Sequence, residues 1–144
     1  MGSNSRFAVA VHVLALLASE NKILSSSYIA ASVNTNPVNI RQTLASLKKS
    51  DLVTTTAGSL GGASLKKKAE DISLLEVYKI IKNEELLKTH NPNPACPIGA
   101  NIQQVLNNIF DDAEISLLNS LAKKTIASVV KEVKEEAKSK ISNG

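Results

Sequence analysis

Few side chains in this sequence have a type and spacing suited to covalent or metal chemistry. The single cysteine, Cys96, stands near His90 in a loop rich in Pro and Asn, and two such ligands fall short of the four a closed zinc site takes. His12 lies in an apolar run, where a histidine satisfied within a core or interface is expected rather than a ligand. Asp111-Asp112 reads as surface charge. No Ser/His/Asp set and no paired catalytic carboxylates stand out, so no enzyme activity, cofactor or metal site is expected. The chain does offer groups that match the edges of base pairs: Val38, Asn39, Arg41 and Gln42. Arg41 is the best single candidate for guanine, since its guanidinium can bond O6 and N7 together.

Those four residues need a helix to present them. Asn36 is a cap and Pro37 fits the first helical position, where its missing N–H and fixed φ cost nothing. Ile40, Leu44 and Leu47 then fall at i, i+4, i+7 as a buried stripe, so Val38, Gln42, Ala45 and Lys49, flanked by Asn39 and Arg41, point outward. Ahead of it, Ser25 to Ser27 can cap a short helix, Tyr28 to Val33, with Asn34 as a left-handed stop and Asn34-Thr35-Asn36 as a tight turn. Two helices so joined are either a helix-turn-helix, whose second helix enters the major groove, or part of an ordinary three-helix core with a wet outer face, and the hairpin that follows favours the first. Ser5 can cap a first helix from Arg6 to about Ser19, apolar on several sides and hence central to the core.

Leu52 to Thr56 is β-branched, Ala57 to Gly62 is a Gly-rich turn, and Ala63 to Lys66 can return as a partner strand, which gives a hairpin wing. The turn is no nucleotide cradle, since it lacks both the P-loop and the G-x-G-x-x-G spacing. Ser73-Leu74-Leu75-Glu76 is a capping box, with Ile72 and Val77 as its staple, for a structural helix to about Glu85. The Pro-rich stretch Thr89 to Pro97 is a boundary. Beyond it Ile102, Val105, Leu106, Ile109, Ala113, Leu117 and Leu121 recur at helical steps in one long helix, Ile98 to Ala122. A helix of that length outreaches a small core and most simply pairs with its twin in a homodimer that matches a palindromic site, the alternative being that it folds back within one chain. Thr125 caps a last helix, whose end from Lys138 is expected to fray.

Composition agrees with this layout. The 144 residues suit one domain with an appended element, and aromatics at 3 % with no Trp imply an aliphatic core and argue against base-stacking platforms. The net charge is +4, but residues up to Lys68 hold eight cations against two acids, while the remainder holds nine against eleven. The basic half is either a polyanion-binding surface or a solvated face with a chance imbalance. One cysteine cannot form an internal disulfide, which fits a reducing cytoplasm, and the most apolar window, Phe7 to Ala18, is too short to span a membrane.

In ordered series, several motifs resemble the Rrf-two type bacterial winged-helix regulators, the IscR/NsrR/CymR-like family. They are Ser5-Arg6-Phe7-Ala8-Val9, the run Leu44 to Val53, the Gly61-Gly62 wing, Ile72 to Val77, the cysteine loop and Thr125-Ile126-Ala127-Ser128. The resemblance spans Ser5 to Val133 and implies a dimeric DNA-binding regulator, commonly a repressor, whose loop in several members carries an iron–sulfur cluster. Cluster-binding members offer three cysteines there. Thr89 to Asn101 supplies only Cys96, so this chain resembles a member without the cluster. It also has Ala57 where a basic residue is common.

The expected fold is therefore mainly α with a small β-hairpin wing: a winged helix-turn-helix over residues 1–88, a cysteine-containing loop over 89–97, and a dimerisation helix plus a C-terminal helix over 98–144. Double-stranded DNA is the expected partner. Phosphate contacts are assigned to Ser5, Arg6, Ser26, Tyr28 and Lys49, base edges to Val38, Asn39, Arg41 and Gln42, and wing contacts to Ser59, Leu60 and Gly61. Tyr28 either packs at the start of its helix or reaches a phosphate. Cys96 is either an inert loop residue or a redox thiol beside a helix N-terminus. The effector, whether small molecule, thiol or protein, stays open, as does the contrasting reading of a winged helix used only for protein assembly.

Overall fold

Arg6–Glu20 forms helix α1, which ends where Asn21 turns left-handed at φ 51° and its N–H returns to the Leu17 carbonyl at 2.9 Å. The computed structural model describes residues 5–82 and 87–143. Ala10, Val13, Leu14 and Leu17 of α1 are buried, and the helix touches four of the other helices and one strand of the hairpin, as expected of a central helix. Ser5 does not cap it through its side chain. Its backbone is already helical at φ −96°, ψ −9°, so Oγ is not turned back toward the first N–H groups as it is from an extended cap.

Helix α2, Ser26–Val33, begins two residues earlier than the sequence suggests, because Ser25 is extended and its Oγ accepts the Tyr28 N–H at 3.1 Å. Asn34 stops it at φ 66°. Helix α3, Pro37–Lys49, starts as expected: Asn36 Oδ1 accepts the Asn39 N–H at 2.9 Å, and Pro37 occupies the first turn. Ile40, Leu44 and Leu47 are buried, and Thr43 joins them by turning its hydroxyl onto the Asn39 carbonyl at 3.0 Å.

Strands β1, Val53–Thr56, and β2, Gly62–Leu65, pair antiparallel from Val53 opposite Leu65 to Thr56 opposite Gly62. The hairpin is tied to the body by a bridge between Leu24 and Ala63, with N–H···O distances of 2.9 and 2.8 Å. Helix α4 spans Leu74–Ile81, with Ser73 Oγ accepting the Glu76 N–H and Ile72 and Val77 fully buried beside it. It stops at Ile81 instead of reaching Glu85: Lys82 is extended at ψ 115°, its ammonium bound to Glu114 at 2.8 Å, and Glu85 lies outside the described residues.

Helix α5, Pro97–Ala122, runs unbroken through Asp111-Asp112 for 26 residues, about 39 Å at the usual rise. Helix α6, Ile126–Asn143, opens on a reciprocal cap in which Thr125 Oγ1 accepts the Ser128 N–H and Ser128 Oγ accepts the Thr125 N–H. Its expected fraying from Lys138 is not seen, since the helix continues to Asn143. The core these elements enclose is aliphatic among the described residues, with Phe7 and Tyr78 edge-on at its margin, 5.5 Å apart.

Candidate nucleic-acid interface

Three elements meet around one open cleft of about 520 Å³. The serine-rich start of α2 contributes Ser25, Ser26 and Ser27, α3 contributes Arg41, Ala45 and Lys48, and the wing contributes Thr55, Ser59 and Gly61. A helix N-terminus with free N–H groups favours an anion, and two cations on the neighbouring helix add to that field. Among the described residues neither Arg41, Lys48 nor Lys49 enters an ion pair, whereas Lys66 is bound to Asp51 and Lys67 to Glu76, each at 3.0 Å. Three cations that enter no ion pair among the described residues thus sit together on α3.

Of the residues singled out from sequence, Ser26, Arg41, Ser59 and Gly61 line this cleft. Val38, Gln42 and Lys49 lie exposed on the outer face of α3, and Leu60 stands at the hairpin tip, 94 % exposed. Asn39 is half-buried and gives its Nδ2 to Thr35 Oγ1 at 2.9 Å, so part of its amide is used to fasten the turn. Tyr28 is half exposed and its hydroxyl is engaged by Glu20; that hydrogen bond, with some desolvation and the carboxylate's charge, holds the phenol above its ordinary value. Ser5 and Arg6 lie at the start of α1, away from the cleft lining. Ala45 was expected on the outer face of α3, whereas Ser25, Ser27, Lys48 and Thr55 were not foreseen as part of the site. Lys48 follows Arg41 by two helical turns, so the 3.6-residue period alone could have placed it on the same face.

Along α5 no residue is buried. Ile102, Leu106, Leu117 and Leu121 are half-buried, Val105, Ile109 and Ala113 exposed. Cys96 is exposed in the cap position of this helix, where its side chain makes no capping bond. His12, expected in a core or interface, is exposed, and its Nε2 lies 3.0 Å from Ser32 Oγ.

A helix-turn-helix with a hairpin wing and a long trailing helix is the arrangement of a known regulator family, and the family model described as Rrf2, iron-dependent transcriptional regulator, matches residues 3–132. This chain belongs to the Rrf2 family. It is similar to YwnA of Bacillus subtilis (strain 168), described as an HTH-type transcriptional regulator: 50 % identity over 129 residues, covering 88 % of this chain and 96 % of that protein. A crystallised protein described as DNA-binding is 44 % identical, with TM-score 0.71 and coverage of 87 % and 98 %. A transcriptional regulator from Lactobacillus plantarum is 28 % identical, with TM-score 0.79 and coverage of 90 % of each chain. As an Rrf2 protein the chain is a DNA-binding helix-turn-helix transcription regulator and not an enzyme. The family description names iron, but this donor set does not fit a cluster. Cys96 is the single cysteine, and among the described residues no three His, Cys, Asp or Glu side chains gather as a ligand group, whereas a cluster takes about four ligands, mostly thiolates.

Among the described residues no helix is long and apolar enough to cross a membrane.

Proposed function

We propose that this Rrf2 protein is a cytoplasmic homodimeric repressor that reads a palindromic operator without an iron–sulfur cluster. Residues 1–88 bind one half-site, and α5 with its neighbours in 98–144 joins two copies. The observation that carries the reading is the convergence of the α2 N-terminus, the unpaired cations of α3 and the wing on one cleft. In the bound state α3 lies in the major groove with Arg41 and Gln42 toward base edges, Ser26 and Lys48 or Lys49 hold phosphates, and Ser59 to Gly61 follow the backbone beside it. Dimerisation is supported by α5 itself: a 26-residue helix with no buried residue and with Val105 and Ile109 more than half exposed has an apolar face its own chain does not cover.

The test is selection of bound fragments from the host genome with purified protein under reducing conditions, followed by salt titration of the best site. A two-fold symmetric sequence whose affinity falls steeply with salt is the expected result. Recovery of no preferred sequence, with a salt-insensitive partner interface, would mean that the winged helix serves protein assembly instead.

A further inference from the structure

Helix α6 lies against α1, and between them runs a groove of about 650 Å³, within the range of small-molecule sites. Its walls are apolar: Val11 and Leu16 from α1, Leu74 from the start of α4, Val130 and Val133 from α6. The small side chain of Ala15 leaves the floor open. The polar groups that line it are few: Ser19, His12, which meets Ser32 across 3.0 Å, and Lys134. No carboxylate lines the groove, and among the described residues Lys134 enters no ion pair. An apolar trough with one unpaired ammonium at its edge complements an apolar body that ends in a single anion. On the other side of Val129 and Val133 the α6 surface carries Glu132, Glu136 and Lys140 around Ala137, charges of both signs that flank the apolar strip.

Resting on the regulator reading above, we propose that this groove is an effector site for a small amphipathic carboxylate. The hydrocarbon part lies on Val11, Leu16 and Val130, and the carboxylate meets Lys134. The position is suited to regulation: α1 also touches α2, α3 and the second wing strand, while α6 follows directly on α5. A ligand held between α1 and α6 therefore stabilises one placement of the DNA-reading elements relative to the C-terminal helices.

The test uses the full-length, isotope-labelled protein titrated with octanoate, and with 1-octanol as the uncharged analogue, read by amide chemical shifts. Saturable shifts centred on the α1 and α6 lining residues are expected. Lys134→Met, a surface change, weakens octanoate about fivefold and leaves 1-octanol unaltered. Ala15→Phe fills the trough and abolishes both. In parallel, octanoate shifts the wild-type affinity for the selected operator about fivefold and leaves that of Ala15→Phe unchanged. Absence of saturable shifts, shifts centred on α5, or an equal response of both ligands to Lys134→Met overturns the proposal. So do ligand-free shifts of the lining residues that grow with protein concentration, which would mean that a second copy fills the groove. Saturable octanoate binding by a protein that binds no DNA refutes the regulator reading and leaves the site standing; DNA binding without octanoate binding does the reverse.

Discussion

Gly62 sits where β2 passes the segment that leads into α2, and an added methyl tests how the wing is held. An alanine Cβ there would overlap the Leu24 carbonyl oxygen, sit 2.5 Å from its carbon and 3.0 Å from the Ser25 nitrogen. All three are backbone atoms, so no side chain can swing aside. The hairpin must move away from Leu24, which breaks the paired bonds between Leu24 and Ala63 at 2.9 and 2.8 Å. Two bonds at about 1 kcal/mol each give a loss of about 2 kcal/mol. At this chain length that lowers the melting midpoint by about 6 °C, readable by calorimetry or circular dichroism. The same shift pulls Thr55, Ser59 and Gly61 away from Ser25 and Arg41 and opens the cleft. Loss of about one phosphate contact per half-site of the proposed dimer reduces the slope of log affinity against log salt by about 2, measured by fluorescence anisotropy. A Gly62→Ala protein with the native midpoint and the native slope would refute the claim that this bridge seats the wing.

Arg41→Met should weaken operator binding by ~1–3 kcal/mol and relax preference at one position per half-site. A uniform loss across all sequences would make it a phosphate contact. Ile109→Asp places a charge on the exposed face of α5; sedimentation should show a monomer that melts independently of protein concentration, and an unchanged dimer would remove α5 from the interface. For Tyr28, a folded-state phenol value above the ordinary 10.0 means that its bond to Glu20 contributes stability at neutral pH, a contribution lost as pH rises through that raised value. In a Tyr78→Phe background, absorbance titration should place Tyr28 above the ordinary tyrosine range, and Glu20→Gln should return it toward that range.

What could be read from sequence was mostly local. Asn36-Pro37 marked a helix start because cap and ring act within one turn, and Ile40, Leu44 and Leu47 marked its buried face because the period is intrinsic to the helix. The hairpin, the left-handed Asn34 and the Ser73 cap were legible for the same reason. Features set by partners distant in sequence were not. Lys66 and Lys67 counted toward a basic surface until their carboxylates were located, and nothing near Lys82 in sequence points to Glu114. Gly62 was visible as a turn residue, but its contact with Leu24 depends on where the wing docks. The candidate site suffered in the same way: the outer face of α3 followed from periodicity, whereas the place of Ser25 and Thr55 in the cleft lining needed the three elements to be brought together.

The two ends of the segment from Ile72 to Ile126 are fastened to each other. The Leu74 N–H donates to the Lys124 carbonyl and the Ile126 N–H to that of Ile72, each at 2.9 Å, and both isoleucines are fully buried. The segment that carries α4 and α5 therefore leaves and rejoins the body at one clasp, and the Lys82–Glu114 pair ties α5 a second time near its middle. Substitutions at Val105 and Ile109, on the N-terminal side of that tie, change the exposed surface of α5 without touching the clasp or the Lys82–Glu114 pair. If α5 joins two copies as proposed, the surface that selects a partner can vary separately from the residues that line the cleft.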